Sequence, residues 1–159
     1  MLIKAIFFDL SQTLVTSTRS WLPGAKELLT ALKAHGMPLG IISNTGNLAT
    51  RQAILNLLPT DFNLHVFQPE WVFFSSEVGI AKPNKEIFQK AVIATDLPAP
   101  QCLYCSEDMV ETLVAQHVGM RTMRVQTPPN TDLDQWINYL ERYEEVIGLS
   151  DSARHAPLC

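Results

Sequence analysis

Apolar positions fall along this chain in two rhythms. Short continuous runs at Leu2–Asp9, Leu39–Ser43, Trp71–Ser75, Cys102–Cys105 and Thr122–Val125 have the length of buried strands. Between them stand segments with an apolar residue every three or four positions, the spacing of helices with one buried face. Pro23 opens the first such segment, Ala25, Leu28, Leu29 and Leu32 mark its face, and Gly36 stops it. Asn47 is a candidate cap for a helix running to Leu58 and ended by Pro59. Asn84 caps a third, bearing Ile87, Phe88, Ala91 and Val92, and Met109–Val118 forms a fourth, closed by Gly119. Thr131 or Asp132 starts a last amphipathic helix, whose stripe of Leu133, Trp136, Ile137, Leu140 and Ile147 reads as core packing. Strands and helices in alternation predict an α/β fold: a three-layer, Rossmann-like arrangement with a five-stranded, mainly parallel sheet covered on both faces. In this reading residues 1–149 make one domain and 150–159 a loose tail.

Composition narrows the function. With 159 residues, 47% hydrophobic and 18% charged, the chain has material for one full core and is too apolar to be disordered. A net charge of −4 without any run of Lys or Arg argues against a nucleic-acid or anionic-membrane surface. No apolar stretch has the length of a membrane span, and the N-terminus lacks the basic start of a signal peptide. Three cysteines without an export signal point to reduced thiols in a cytoplasm. Cys102 and Cys105 match C-x-x-C, but on a strand residues three apart point to opposite faces. No second cysteine–histidine pair completes a zinc site, so the pair is read as structural.

The chemistry gathers at the ends of the strands, where open parallel sheets place their ligands. Asp9 ends the first strand, and Ser43 and Asn44 end the second. Lys82 precedes a helix, and Ser106, Glu107, Asp108 and Glu111 follow the fourth strand. A carboxylate, a hydroxyl, an amine and a second acidic cluster on one rim are the parts needed to move a phosphoryl group with a divalent cation. Carboxylates and carbonyls suit a hard ion such as magnesium.

At this point the sequence resembles the haloacid dehalogenase-like (HAD) hydrolase superfamily, over most of residues 1 to 126. Phe8-Asp9-Leu10-Ser11-Gln12-Thr13-Leu14 is similar to the family's first motif, D-x-D-x-T, and Ile41-Ile42-Ser43-Asn44 to its second. Gly79-Ile80-Ala81-Lys82-Pro83 resembles the third, and Ser106-Glu107-Asp108-Met109-Val110-Glu111 stands where the acidic fourth belongs, ahead of Gly119-Met120. The resemblance implies Asp9 as nucleophile of an aspartyl-phosphate, with the Ser11 carbonyl and the Glu107 carboxylate helping to bind magnesium. It implies Ser43 and Asn44 at the phosphate, Lys82 neutralising charge, Thr13 bracing the first turn and Glu111 in the second acidic position. Asp108 is an alternative ligand, or a cap for the helix starting near Met109.

Two departures from the pattern bear on activity. The aspartate expected two residues after the nucleophile, which handles the proton, is Ser11; the acidic residue of the fourth motif is Glu107 rather than aspartate. General acid–base catalysis is worth about 10²–10⁴ in rate, so plain alkyl phosphates should turn over slowly. Only Val15 to Leu22 separates the first motif from the helix at Pro23, and no cap domain fits before Lys82. Such an open site favours large substrates or requires a partner subunit to exclude water, so the phosphorylated substrate is a small molecule or a macromolecule and a homo-oligomer is one source of cover. Arg19 and Trp21 lie in that short connection, with Trp21 expected to pack on the following helix. The reading is a slow, magnesium-dependent phosphohydrolase; the alternative is a catalytically degenerate binding or interaction protein on the same fold.

Overall fold

A computed structural model of the chain describes residues 2–125. The helix expected after Thr131, the tail at 150–159 and Cys159 lie outside the described residues. The elements are β1 (Ala5–Phe8), α1 (Ala25–Ala34), β2 (Leu39–Ser43), α2 (Arg51–Leu55), β3 (Val72–Phe74), α3 (Ser75–Val78), α4 (Lys85–Thr95), β4 (Cys102–Ser106), α5 (Met109–His117) and β5 (Arg121–Arg124). The strands form one sheet in the order β3-β2-β1-β4-β5, and every neighbouring pair is parallel rather than mainly so. The order reverses between β1 and β4, which makes their carboxyl ends the switch point where a ligand crevice opens.

Each face of the sheet has its own core. Ile6, Phe8, Leu39, Ile41 and Cys105 pack with Ala25 and Leu29 of α1 and Ile54 of α2. Ala5, Phe7, Ile42, Cys102 and Tyr104 pack with α4 and α5 through Ile87, Phe88, Val110 and Val114. Burial on both faces explains why these strands read as unbroken apolar runs. The C-x-x-C cysteines are free, buried, and in different cores, as the strand period requires. No helix among the described residues is long and apolar enough to cross a membrane.

Several boundaries differ from the sequence reading. α2 is capped by Thr50, whose hydroxyl accepts from the Ala53 N–H at 3.2 Å, and not by Asn47. Gly46, at φ +54°, turns the chain first, so the helix cannot begin until the turn is complete. α1 starts at Ala25 because Gly24 precedes it in a left-handed conformation, φ +80°. Leu28, expected on the buried face, is 47% exposed, since Ala25 and Leu29 occupy the line that meets the sheet.

β2 carries one residue that the fold cannot change. A Cβ on Gly40 would stand 2.5 Å from the Phe7 ring and 2.8 Å from the Trp71 carbonyl oxygen, and Phe7 also meets the Trp71 ring at 5.7 Å. Gly40→Ala is expected to destabilise the protein by about 1–3 kcal/mol through overpacking, seen as a lower urea midpoint.

Candidate active site

Asp9 leaves the sheet where β1 ends. Its N–H still bonds the Cys105 carbonyl at 2.9 Å, so β4 fixes its height on the rim. The chain then curls tightly: the N–H groups of Thr13, Leu14 and Val15 all converge on the Leu10 carbonyl, with Leu10 and Leu14 buried beneath. That curl brings Thr13 back to the carboxylate. The Thr13 hydroxyl donates to Asp9 Oδ2 at 3.4 Å and accepts from the Glu107 N–H at 3.1 Å, tying the loops after β1 and β4 together. Thr13 therefore braces the first turn against the fourth.

Lys82 is buried, its side chain 1% exposed, and meets Asp9 across the sheet edge. Its ammonium uses all three protons: Asp9 Oδ1 at 2.8 Å, Glu111 Oε2 at 2.9 Å and the Tyr104 hydroxyl at 3.0 Å. Glu111 Oε2 also accepts from the Tyr104 hydroxyl at 2.7 Å and from Ser106 Oγ at 2.9 Å. Asn44 sets the lysine's backbone, accepting from its N–H and donating to its carbonyl, both at 2.8 Å. The amide expected at the phosphate is committed instead to placing Lys82. Asp108 is the N-cap of α5, its Oδ1 accepting from the Glu111 N–H at 3.0 Å, and its own N–H bonds Ser106 Oγ at 3.1 Å.

The remaining residues surround this cluster. Glu107 is half-buried next to it, and its carbonyl accepts from Arg124 Nε at 3.2 Å. Ser11 is exposed at the rim, and Ser43 is buried at the end of β2. By the strand alternation Ser43 follows Leu39 and Ile41 to the α1–α2 face, whereas Asp9 follows Ala5 and Phe7 to the α4–α5 face. The two groups expected on one phosphate thus approach the rim from opposite sides of the sheet. Tyr104 has no role in the sequence reading and Ser106 stands there only as part of the acidic segment, although a hydroxyl pair two residues apart in an apolar strand just before an acidic cluster is a visible signal.

Burial opposes the charge on Lys82, but Glu111 and Asp9 outweigh it and hold the ammonium above its ordinary value of 10.5. Burial likewise pushes Glu111 up against the pull of Lys82. Glu107 is raised by burial and then by the charges of Asp108 and Asp9. One ammonium against two carboxylates leaves the cluster net negative before Glu107 and Asp108 are counted. A phosphate cannot approach such a rim without added positive charge. Among the described residues no three His, Cys, Asp or Glu side chains form a ready-made cage for an ion. The Asp9 and Glu107 carboxylates and the Ser11 carbonyl, all hard oxygens at one strand edge, fit a cation that keeps several waters, as magnesium does.

Comparison with known proteins gives the chain's family. A family model described as haloacid dehalogenase-like hydrolase matches residues 18–106. Glyceraldehyde 3-phosphate phosphatase of Pyrococcus abyssi is 32% identical over 64% of this chain and 40% of its own length. The enzyme of the same name from Pyrococcus furiosus is 29% identical over 79% of this chain and 49% of its own. The chain therefore spans less than half of these curated relatives. Among solved structures, a HAD family enzyme of Bacteroides thetaiotaomicron superposes with a TM-score of 0.56 at 19% identity, covering 70% of this chain and 57% of that one. It was solved as an Asp-to-Ala mutant with magnesium and inorganic phosphate.

The cluster makes a prediction about alkali. Lys82 and Tyr104 both sit above their ordinary values of 10.5 and 10.0, so the folded protein holds their protons more tightly than the unfolded chain does. Their stabilisation is complete below about pH 10 and is lost as pH rises through the raised values. The urea midpoint should fall above that pH. Tyr104→Phe should lower stability by about 1–2 kcal/mol at neutral pH and flatten part of the alkaline fall.

Proposed function

The chain belongs to the haloacid dehalogenase-like hydrolases, and from that premise we propose that it is a phosphohydrolase with Asp9 as nucleophile. The observation that carries the reading is the Asp9 carboxylate held 2.8 Å from the buried Lys82 ammonium at the switch point of a parallel sheet. Lys82 occupies Oδ1, leaving Oδ2, with its longer contact to Thr13, as the freer oxygen for attack. Attack forms the Asp9–phosphorus bond and breaks the ester bond; the departing alkoxide takes its proton from solvent. Water then attacks phosphorus, loses its proton to solvent and breaks the Asp9–phosphorus bond, releasing inorganic phosphate and restoring the carboxylate. Ser43 holds a phosphate oxygen, Lys82 neutralises charge through its contact with Asp9 Oδ1, and Asn44 keeps Lys82 in place.

Asp9, the Ser11 carbonyl and Glu107 would hold a magnesium ion, which would supply the positive charge that this negative rim lacks. In support, the Bacteroides fold neighbour was solved with magnesium and phosphate, and the archaeal relatives are named for a small phosphomonoester. Ser11 is exposed, and its hydroxyl neither gives up nor takes on a proton at neutral pH, so both the leaving alcohol and the attacking water rely on solvent. Activated aryl esters therefore suit the enzyme better than alkyl ones. The same Ser11 favours a second reading, a phosphate-binding module that keeps the pocket without turnover.

In a magnesium assay with an activated aryl phosphate, Asp9→Asn should abolish turnover. Ser11→Asp should raise the rate on alkyl phosphates, with about 10²–10⁴ as the ceiling for one acid–base group. Turnover surviving in the Asp9→Asn protein would overturn the mechanism. No turnover in either the native or the Ser11→Asp protein, with phosphate binding retained, would establish the binding module instead.

A further inference from the structure

A cleft of about 290 Å³ opens beside the cluster, on the α1–α2 side of the rim. Its near end is formed by Ser11 and Ser43, the groups proposed to flank the phosphate. Its floor is apolar, with Val15, Ile54 and Leu58 buried along it. Among the described residues, the charged side chain in its lining is Arg19, and no carboxylate lines it.

Arg19 is placed by a closed turn rather than a loose loop. Thr16 N–H bonds the Ser20 carbonyl at 2.8 Å, the Thr16 hydroxyl accepts from the Ser20 N–H at 3.3 Å, and Arg19 N–H reaches the Thr16 carbonyl at 3.3 Å. Arg19 itself sits at φ +62°, a conformation costly for a side chain of this kind. The foot of the turn is pinned elsewhere: Trp21 stacks on Phe62 at 5.3 Å and donates to Asp61 at 2.8 Å. Trp21 is thus spent on anchoring, which leaves Arg19 as the side chain of this connection that can meet a ligand.

We propose that this cleft takes the alcohol part of the substrate, and that the substrate is a small phosphomonoester with a short apolar skeleton ending in a carboxylate read by Arg19. The volume lies at the lower limit of small-molecule sites, about 300–1,000 Å³, which suits a compact metabolite. A single guanidinium at the mouth matches one planar carboxylate in a two-pronged contact. The proposal rests on the phosphohydrolase reading of Asp9 for the position of the phosphate.

The test compares two non-hydrolysable probes, benzylphosphonate and 4-carboxybenzylphosphonate, binding to the full chain with magnesium by calorimetry. The native protein should prefer the carboxylated probe about tenfold, and Arg19→Ala should bring that ratio close to one. Leu57→Asp, at an exposed position of the lining, should also erode the preference by repelling the carboxylate. A ratio near one in the native protein, or one untouched by Arg19→Ala, overturns the proposal, as does failure of both probes to bind. Hydrolysis of phenyl phosphate is followed separately. An Arg19-dependent preference without any hydrolysis supports the cleft and removes the hydrolase reading, whereas hydrolysis without the preference does the reverse.

Discussion

A buried ammonium shared by two carboxylates is the constraint around which the rim of this protein is built. Lys82 lies 73 positions from Asp9 and 29 from Glu111, so the contact joins three separate strand–helix units at one point. Taking these charges out of water is expensive, by several kcal/mol for each ion, and only full hydrogen bonding makes the arrangement tolerable. The surrounding residues supply that bonding. Tyr104 and Ser106 fill the acceptor positions of Glu111, Asn44 fixes the backbone of Lys82, and the Asp108 cap holds the first turn of α5 that carries Glu111. Among the described residues no buried side-chain polar atom lacks a partner.

Much of this was readable in the chain, and the limits have physical causes. Unbroken apolar runs located the strands, and β2 was found to the residue, because burial on both faces leaves no polar position to blur the ends. Asn84 was found as the cap of α4 because its signal is local: one side chain and an N–H two residues ahead. Asn47 misled for the opposite reason. It has the chemistry of a cap, but whether a helix starts there depends on Gly46 and on Thr45, which is engaged by Ser75 and Ser76 thirty residues away.

The site shows the same division. Spacing was enough to bring Asp9, Lys82 and Glu111 to one edge, since parallel strands put all their carboxyl ends together. The work of individual atoms was not legible. Asn44 looks like a phosphate ligand from its place after Ser43, yet its amide matches the two backbone groups of Lys82, a pairing that exists only once β2 and the 79–82 loop meet. Tyr104 reads as a core aromatic, and its ring does pack edge-on against Phe88 at 5.0 Å; only the hydroxyl at its tip belongs to the site. A residue with an apolar body and a polar end serves two layers at once, and periodicity reports only the first.

The charge balance of the rim also bears on why the site is divided by the sheet. Lys82 is fully engaged on the α4–α5 side, where its charge is already outweighed by Asp9 and Glu111. On the proposed reading, positive charge for a ligand would come from a cation on the oxygens of Asp9, Ser11 and Glu107, and from Arg19 on the α1–α2 side. An anionic substrate entering from the α4–α5 side would meet carboxylates first. One entering from the cleft meets hydroxyls, apolar carbon and a guanidinium, and reaches Asp9 only at the end of its path. On that reading a substrate would lie with its phosphate towards Asp9, its carbon skeleton across Ser43 and its far end beneath the turn that carries Arg19.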